Sequence, residues 1–171
     1  KQFSIINSEI QTNFSPKKNT ISIFGKYSLN KSNFLSFNLE RVAKKEILKL
    51  KLNADYDKFI QLDFINYQKP KNLIGNFSVN LEKQKDNIKI ENLNFIEGKN
   101  SFKINGLNFD NNKFLSLKKI SVKTTKEEKT NNYFSILYEK KIKIVGNLID
   151  ATNLPKIINQ NKSNNVFSQI S

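Results

Sequence analysis

Apolar and polar side chains alternate with a period of two residues along most of this chain. Leu48, Leu50 and Leu52 alternate with Lys49 and Lys51, and the same pattern recurs in several other segments. A period of two is typical of a β-strand with one apolar face and one face in water, whereas an amphipathic helix repeats every three to four residues. The sequence therefore predicts an all-β fold. Helical spacing occurs only over Leu39–Ile47, so a short helix there is the main alternative to a strand.

The candidate strands begin at nearly regular intervals. They start at Ile21, Phe34, Ile47, Ile60, Leu73, Ile88, Phe102 and Phe114, and two shorter strands follow near 133–138 and 141–147. Short groups rich in Asn, Asp, Gly, Pro and Lys separate them, and such residues favour tight turns. Parallel strands need crossovers of about a dozen residues or more, which these intervals do not provide. The spacing predicts a long antiparallel meander of about ten strands, with a polar loop at Thr124–Asn132.

Two neighbouring segments share a pattern in which the apolar phase slips. Residues 88–95 read IKIENLNF and residues 102–109 read FKINGLNF, so Ile88 and Ile90 are out of phase with Leu93 and Phe95. One extra residue in each strand, at Glu91-Asn92 and at Asn105-Gly106, restores the phase, which is the effect of a β-bulge. Bulges in successive strands bend a sheet and give it a curved surface.

A sheet with one apolar face must have that face covered, because an exposed apolar sheet is unstable in water. Little helix is predicted, so we expect the sheet to curve into an open trough, a β-taco groove, with too little remaining chain to roof it. A closed sandwich or barrel with the same residues as its core is the alternative. The residues predicted to line the groove are Ile21, Ile23, Leu48, Leu50, Leu52, Ile60, Leu62, Phe64, Phe77, Val79, Ile88, Ile90, Phe102 and Ile104.

The organisation predicted for the whole chain is a single sheet followed by two short terminal parts. Residues 1–150 form the antiparallel groove segment, residues 151–160 a short helix, and residues 161–171 a loose tail. Thr152 or Asn153 is placed to cap that helix, and Pro155 suits its first turn.

Composition bears on function mainly through the residues that are absent. The chain has no His and no Cys, so the usual imidazole bases, thiol nucleophiles and zinc ligands are missing, and we expect no enzyme activity, metal or cofactor. Its formal net charge is +14, yet 28 of its 29 basic residues are Lys and only Arg41 is Arg. Nucleic-acid sites usually favour Arg, so nucleic-acid binding is not expected, although Phe residues interleaved with Lys leave it as an alternative.

The stretch from Ile142 to Ile158, IKIVGNLIDATNLPKII, resembles the AsmA-like family of YhdP and TamB type, in which a strand with an x-G-x-x-x-D pattern leads into a short helix. The I-x-I-x-N-L-x-F units are similar to the strand repeats of that family, and the resemblance covers residues 73–158. It implies a segment of a longer, periplasmic, bridge-like lipid-transfer protein with no catalytic residues. Its anchor in the inner membrane would lie outside this segment.

The sequence thus leads to an expected function and two alternatives. The expected function is non-enzymatic binding of phospholipid acyl chains in the apolar groove, in support of phospholipid transport between the inner and outer membranes. The first alternative is a structural or adhesive β-sandwich that holds no ligand. The second is a basic nucleic-acid-binding protein. The oligomeric state is not indicated by the sequence.

Overall fold

A computed structural model describes residues 2–29, 33–138 and 141–155, and this part of the chain is built almost entirely from β-strands. The ten strands of the main sheet are β1 (Phe3–Ser15), β2 (Lys18–Leu29), β3 (Leu35–Lys44), β4 (Ile47–Tyr56), β7 (Gly75–Gln84), β8 (Asn87–Glu97), β9 (Asn100–Asp110), β10 (Lys113–Lys126), β11 (Lys129–Tyr138) and β12 (Ile142–Leu148). Two short strands, β5 (Ile60–Leu62) and β6 (Tyr67–Lys69), pair with each other on either side of a 3-10 turn at Asp63–Ile65.

The main sheet is an antiparallel meander in which each strand pairs with the next one in sequence, apart from the β5–β6 hairpin between β4 and β7. Strands β1 and β12 form its two edges and do not pair with each other, so the sheet is an open trough and not a barrel. The predicted all-β antiparallel meander with an open trough is therefore confirmed.

Tight turns with left-handed backbone join several of the strands, as the turn composition predicted. Asn111 and Asn112 connect β9 to β10 with φ of 48° and 60°. Glu127 and Glu128 connect β10 to β11 with φ of 51° and 63°. Such pairs of positive φ angles match the twist of the flanking strands. The predicted polar loop at Thr124–Asn132 was wrong, because both strands continue almost to this two-residue turn.

The bulge predicted in β8 is present, and β9 shows the predicted phase slip at Gly106. Leu81 faces Ile90 whereas Asn80 faces Asn92, which leaves Glu91 as the extra residue of β8. Gly106, with φ of 64°, is at the corresponding position of β9, where it lies between Glu91 of β8 and Lys118 of β10 without a register shift against either strand, and the register shift of β10 against β9 lies at Leu115. The extra residue at Glu91 and the left-handed backbone at Gly106 bring the two apolar pairs of each repeat onto one face, and bulges bend the strands that contain them.

Three sequence predictions about the elements need correction. The helical alternative at Leu39–Ile47 was wrong, since this stretch is the end of β3, a turn and the start of β4. The candidate strand at Ile60 does not join the meander but forms the separate β5–β6 hairpin. The tenth strand of the sheet is β1, Phe3–Ser15, which the sequence analysis did not identify because its apolar residues change phase at a bulge after Ile6.

The segment of residues 57–74, here called the insert, packs across one part of the apolar side of the sheet. Ile65 and Tyr67 of the insert, 1% and 4% exposed, form the buried core with Phe95, Val122 and Phe134 from three different strands. The expectation that too little chain remained to roof the sheet was therefore wrong over strands β8 to β11, where the insert supplies a partial cover.

The predicted C-terminal helix of residues 151–160 is not supported by the described residues, which show only a single turn after β12. The backbone N–H of Leu154 donates to the carbonyl of Ala151 at 3.0 Å and closes that turn. Residues 156–171, which include the rest of the predicted helix and the predicted tail, lie outside the described residues.

Candidate functional site

Directly opposed residues in an antiparallel pair share a face, so the register assigns every strand residue to one of two faces. One row across the sheet runs from Ile23 through Leu39, Leu52 and Val79 to Leu93. Neighbouring rows are equally rich in Ile, Leu and Phe, and we call this side the apolar face. The opposite side, the polar face, carries mostly Ser, Asn and Lys.

Of the fourteen residues predicted to line the groove, eleven lie together on the apolar face. They are Ile21, Ile23, Leu48, Leu50, Leu52, Phe77, Val79, Ile88, Ile90, Phe102 and Ile104. The other three, Ile60, Leu62 and Phe64, belong to the insert. Ile60 and Leu62 pack against the buried core from the insert side, while Phe64 is 46% exposed. The main sheet therefore does not contain these three residues.

The apolar face is uncovered toward both edges of the sheet. Phe3, Ile10 and Phe14 of β1 are 61%, 62% and 66% exposed, and Ile142 of β12 is 69% exposed. The apolar residues of β2 to β4 are mostly half-buried, and none of the described residues stacks a second layer over them. A contiguous apolar surface of this kind in a folded protein marks a binding site or an interface.

Aromatic packing holds the insert on the apolar face at β7 to β9. The ring of Tyr67 lies 4.8 Å from the ring of Phe102, and Phe95 lies 4.6 Å from Phe77. Ring centroids at these separations add to the stability that burial of their area provides. The insert thus closes part of the apolar face and leaves the part on β1 to β4 open.

The insert covers an acidic residue at the end of strand β8. Glu97, 7% exposed, accepts hydrogen bonds from the Tyr67 hydroxyl at 3.2 Å and from Asn100 Nδ2 at 2.7 Å. Burial, together with the charge of Glu97, raises the pKa of Tyr67 above its ordinary value. This tyrosine therefore remains a neutral hydrogen-bond donor throughout the physiological range.

A second group of polar side chains, centred on Asn132, ties the insert to the end of the sheet. Asn132 is fully buried, and its Nδ2 donates to the carbonyl of Ile65 at 2.7 Å and to Thr124 Oγ1 at 2.8 Å. Its Oδ1 accepts from the backbone N–H of Asp150 at 2.8 Å. One amide thus links the insert, strand β10 and the segment after β12.

Asp150 completes the same group. Its carboxylate accepts from Asn66 Nδ2 at 2.9 Å, from Asn131 Nδ2 at 3.2 Å and from the backbone N–H of Thr152 at 3.1 Å. Hydrogen bonds from Thr152 and Asn66 hold the pKa of this carboxyl well below its usual range. The Asp of the x-G-x-x-x-D pattern therefore has a structural role here, since it fastens the insert to the end of β12.

From β1 to β9, the described part of the apolar face carries two basic side chains among its hydrocarbon residues. Arg41, the single arginine of the chain, lies between Ile21 and Leu50 of the neighbouring strands. Lys83 lies between Leu48 and Ile88, near the turn that ends β7. The one carboxylate on the described part of this face is Glu97, near the opposite ends of the strands and under the insert.

The polar face has a different chemistry. Its surface includes a concavity of about 440 Å3 across β9 to β12, lined by Lys103, Lys119, Lys123 and several serines. Elsewhere on this face lysines are paired with acids, as Lys49 is with Glu82 at 3.0 Å and Lys51 with Glu40 at 3.7 Å. Much of the polar face therefore exposes both positively and negatively charged side chains to water.

The described residues contain no group of three or more acidic side chains placed to hold a metal ion. Within the same ranges, no helix has the length and apolar character required to span a bilayer. The arrangement of residues described above thus offers hydrocarbon surface and two cations, rather than an assembled set of metal ligands.

Several residues of this region were missed by the sequence analysis, and some could have been found. Leu35, Phe37 and Leu39 alternate in phase with Arg41. The position of that arginine on the apolar face was therefore predictable once the stretch is taken as a strand and not as a helix. The phase slip likewise placed Leu93 and Phe95 on the apolar face. The partners of Asn132 and Asp150, in contrast, lie up to 84 residues away, as Asn66 does from Asp150, and no local pattern signals them.

Comparison of the chain with protein-family models, curated proteins and solved structures finds no significant match.

Proposed function

We propose that this chain is a non-enzymatic lipid-binding segment in which the apolar face of the trough holds the acyl chains of phospholipids. One observation carries the proposal. Eleven predicted lining residues, from five strands of one open sheet, belong to a continuous apolar surface. This surface is largely uncovered on β1 to β4.

Burial of hydrocarbon against such a surface contributes roughly 25 cal/mol per Å2, or about 0.8 kcal/mol for each methylene group. This attraction has no preferred direction, so an acyl chain can shift along the face without meeting one deep minimum. A surface of this type suits passage of lipids better than tight retention of a single molecule. The polar headgroups would remain at the rims of the trough, near the turns.

On this proposal the chain is a segment of a periplasmic bridge that moves phospholipid between the inner and outer membranes, as its resemblance to the AsmA-like family suggests. Anchoring in the inner membrane would come from a part of the protein outside this segment. The partners would be phospholipids, and no nucleic acid is expected. The open edges at β1 and β12 support a sheet that could be extended by further strands.

The test compares the same new charge on the two faces of one strand. Leu52→Asp places a carboxylate on the apolar face, between Leu39 and Val79, whereas Asn53→Asp places it on the polar face one residue further along. We expect native mass spectrometry of the purified protein to show bound phospholipid in the wild type and in Asn53→Asp, and much less in Leu52→Asp. Circular dichroism must show equal strand content for all three. Equal lipid content in the two variants would contradict the proposal.

The second candidate function is a structural β-module that holds no ligand. The insert favours it, because Ile65 and Tyr67 already cover part of the apolar face with the protein's own side chains. A wild-type protein that is purified under mild conditions without any lipid, and that binds none when offered it, would support this function over lipid binding.

A further inference from the structure

The two basic side chains on the apolar face are unexpected in their positions. A charged group placed on a hydrocarbon surface loses part of its hydration, and such groups are usually paired with an opposite charge. Arg41 is half-buried, and it makes no hydrogen bond or ion pair within the described residues. Its neighbours on the same face are Ile21, Leu50, Leu39 and Ala43, none of which can accept a hydrogen bond from its side chain.

The acidic residues closest to Arg41 in the sequence and across the strands are directed elsewhere. Glu40 lies on the polar face, where it is paired with Lys51 at 3.7 Å. Glu82 is also on the polar face and is paired with Lys49 at 3.0 Å. Glu46, in the turn between β3 and β4, is paired with Lys85 at 3.6 Å. The carboxylates around Arg41 are therefore paired with lysines, and none of these three is paired with the guanidinium on the apolar face.

Lys83 adds a second positive charge to the same region. The rows of facing residues place it two strands away from Arg41 and two residues nearer the turns. Two strand spacings combined with an offset of two residues place the two Cα atoms about 12 Å apart, a distance that the long side chains of Arg and Lys can bridge around one anionic group. The single carboxylate found on the described part of this face, Glu97, is bonded to Tyr67 and Asn100 and lies toward the other rim.

We propose that Arg41, assisted by Lys83, binds the anionic headgroup of an amphiphile whose hydrocarbon chain lies on the apolar face. This inference rests on the proposed function and specifies the ligand class, namely a carboxylate or phosphate attached to an alkyl chain. Arginine suits the position because its planar guanidinium stays charged, is weakly hydrated and donates paired hydrogen bonds to either anion. The chain would then extend from Arg41 over the leucine and isoleucine rows toward the insert.

Three probes with the same alkyl chain separate the contributions of charge and hydrocarbon. They are oleate, oleyl phosphate and the uncharged oleyl alcohol, each used below the concentration at which it forms aggregates. Binding to the full chain is measured by equilibrium dialysis. The test variant is Arg41→Met, which keeps the length and apolar character of the side chain and removes its charge. The control variant is Lys26→Met, which removes one charge from an exposed position on the polar face.

We expect Arg41→Met to weaken binding of an anionic probe about tenfold, since a charge-assisted hydrogen bond is worth more than a neutral one. Binding of oleyl alcohol should change less than about twofold, because apolar burial is unaltered. Lys26→Met should leave all three affinities unchanged, and Arg41→Lys should retain part of the preference for anions. A loss confined to oleate or to oleyl phosphate identifies which anion the pair recognises.

The outcomes distinguish the two proposals. If the wild type binds all three probes and Arg41→Met binds them with unchanged affinities, the anion site is refuted and the apolar lipid face stands. If Arg41→Met loses oleyl alcohol as strongly as oleate, Arg41 acts only through packing, which also refutes the anion site. If the wild type binds none of the probes, both the anion site and the proposed function are refuted.

Discussion

Replacing Asn132 by Ala tests whether the polar group at the end of the sheet holds the insert in place. The side chain is fully buried and takes part in three hydrogen bonds, with the carbonyl of Ile65, the hydroxyl of Thr124 and the backbone N–H of Asp150. Alanine removes all three hydrogen bonds and leaves their partner groups unsatisfied in a buried region.

The size of the effect follows from the number of groups left unsatisfied. A buried donor or acceptor without a partner costs about 1–3 kcal/mol, and the Thr124 hydroxyl can still donate to Asn131. Two main-chain groups, the Ile65 carbonyl and the Asp150 N–H, therefore account for most of the loss. Some relaxation of the insert will reduce the sum, so we expect Asn132→Ala to lower the free energy of unfolding by about 2–4 kcal/mol.

Urea denaturation followed by circular dichroism measures this free energy, and Asn94→Ala provides the matched control. Asn94 is half-buried on the polar face, and its Nδ2 donates a single hydrogen bond to Ser78 Oγ at 3.1 Å. Its loss should cost about 0.5–1.5 kcal/mol. Limited trypsin digestion adds a local measurement, because Lys58 and Lys71 in the insert should be cut faster in Asn132→Ala. Equal stability and equal digestion of the two variants would refute the role assigned to Asn132.

Three further predictions concern packing, hydrogen bonding and pH. Gly75→Ala should lower the melting temperature more than Gly98→Ala, because a Cβ at Gly75 would meet the Phe95 ring at 2.5 Å, whereas Gly98 faces open space and has only a positive φ of 53° to accommodate. Tyr67→Phe should reduce the free energy of unfolding by about 1–2 kcal/mol in urea titrations, since buried Glu97 then loses one donor. The pKa of Asp150 is lower in the folded state, so its ionised form stabilises the fold above about pH 4, and this stabilisation is lost as the pH falls. Between pH 5 and 2, as rough limits, the stability of Asp150→Asn should therefore fall less steeply than that of the wild type, as measured by urea titration at each pH.

The arrangement of the sheet could be predicted from the sequence because its determinants are local. Side chains such as Leu48, Leu50 and Leu52 indicate strand and face within a few residues, and short turns fix antiparallel pairing with the next strand. The bulge in β8 was also predictable, since one extra residue between Ile90 and Leu93 places both side chains on the same face. In each case the physical cause lies within about a dozen residues of chain.

The insert could not be predicted, because its position depends on contacts between distant parts of the chain. Ile60 and Leu62 alternate as well as any strand of the sheet, and nothing local shows that they pair with Tyr67 and Lys69 instead. The bonds that fix the insert join Asn66 to Asp150 and Ile65 to Asn132, over 84 and 67 residues. Hydrogen bonds between such distant residues leave no periodic pattern in the sequence, which also explains why the partial cover of the apolar face was missed.

An open meander differs from a barrel in how it can change size during evolution. Each strand of the main sheet bonds only to its immediate neighbours, so gain or loss of strands at either edge leaves the pairing of the others intact. A single added strand would bring the chain out at the opposite rim, whereas a hairpin of two strands returns it to the same rim. Homologous sheets should therefore differ in length by whole hairpins, and their cross-sections should remain the same.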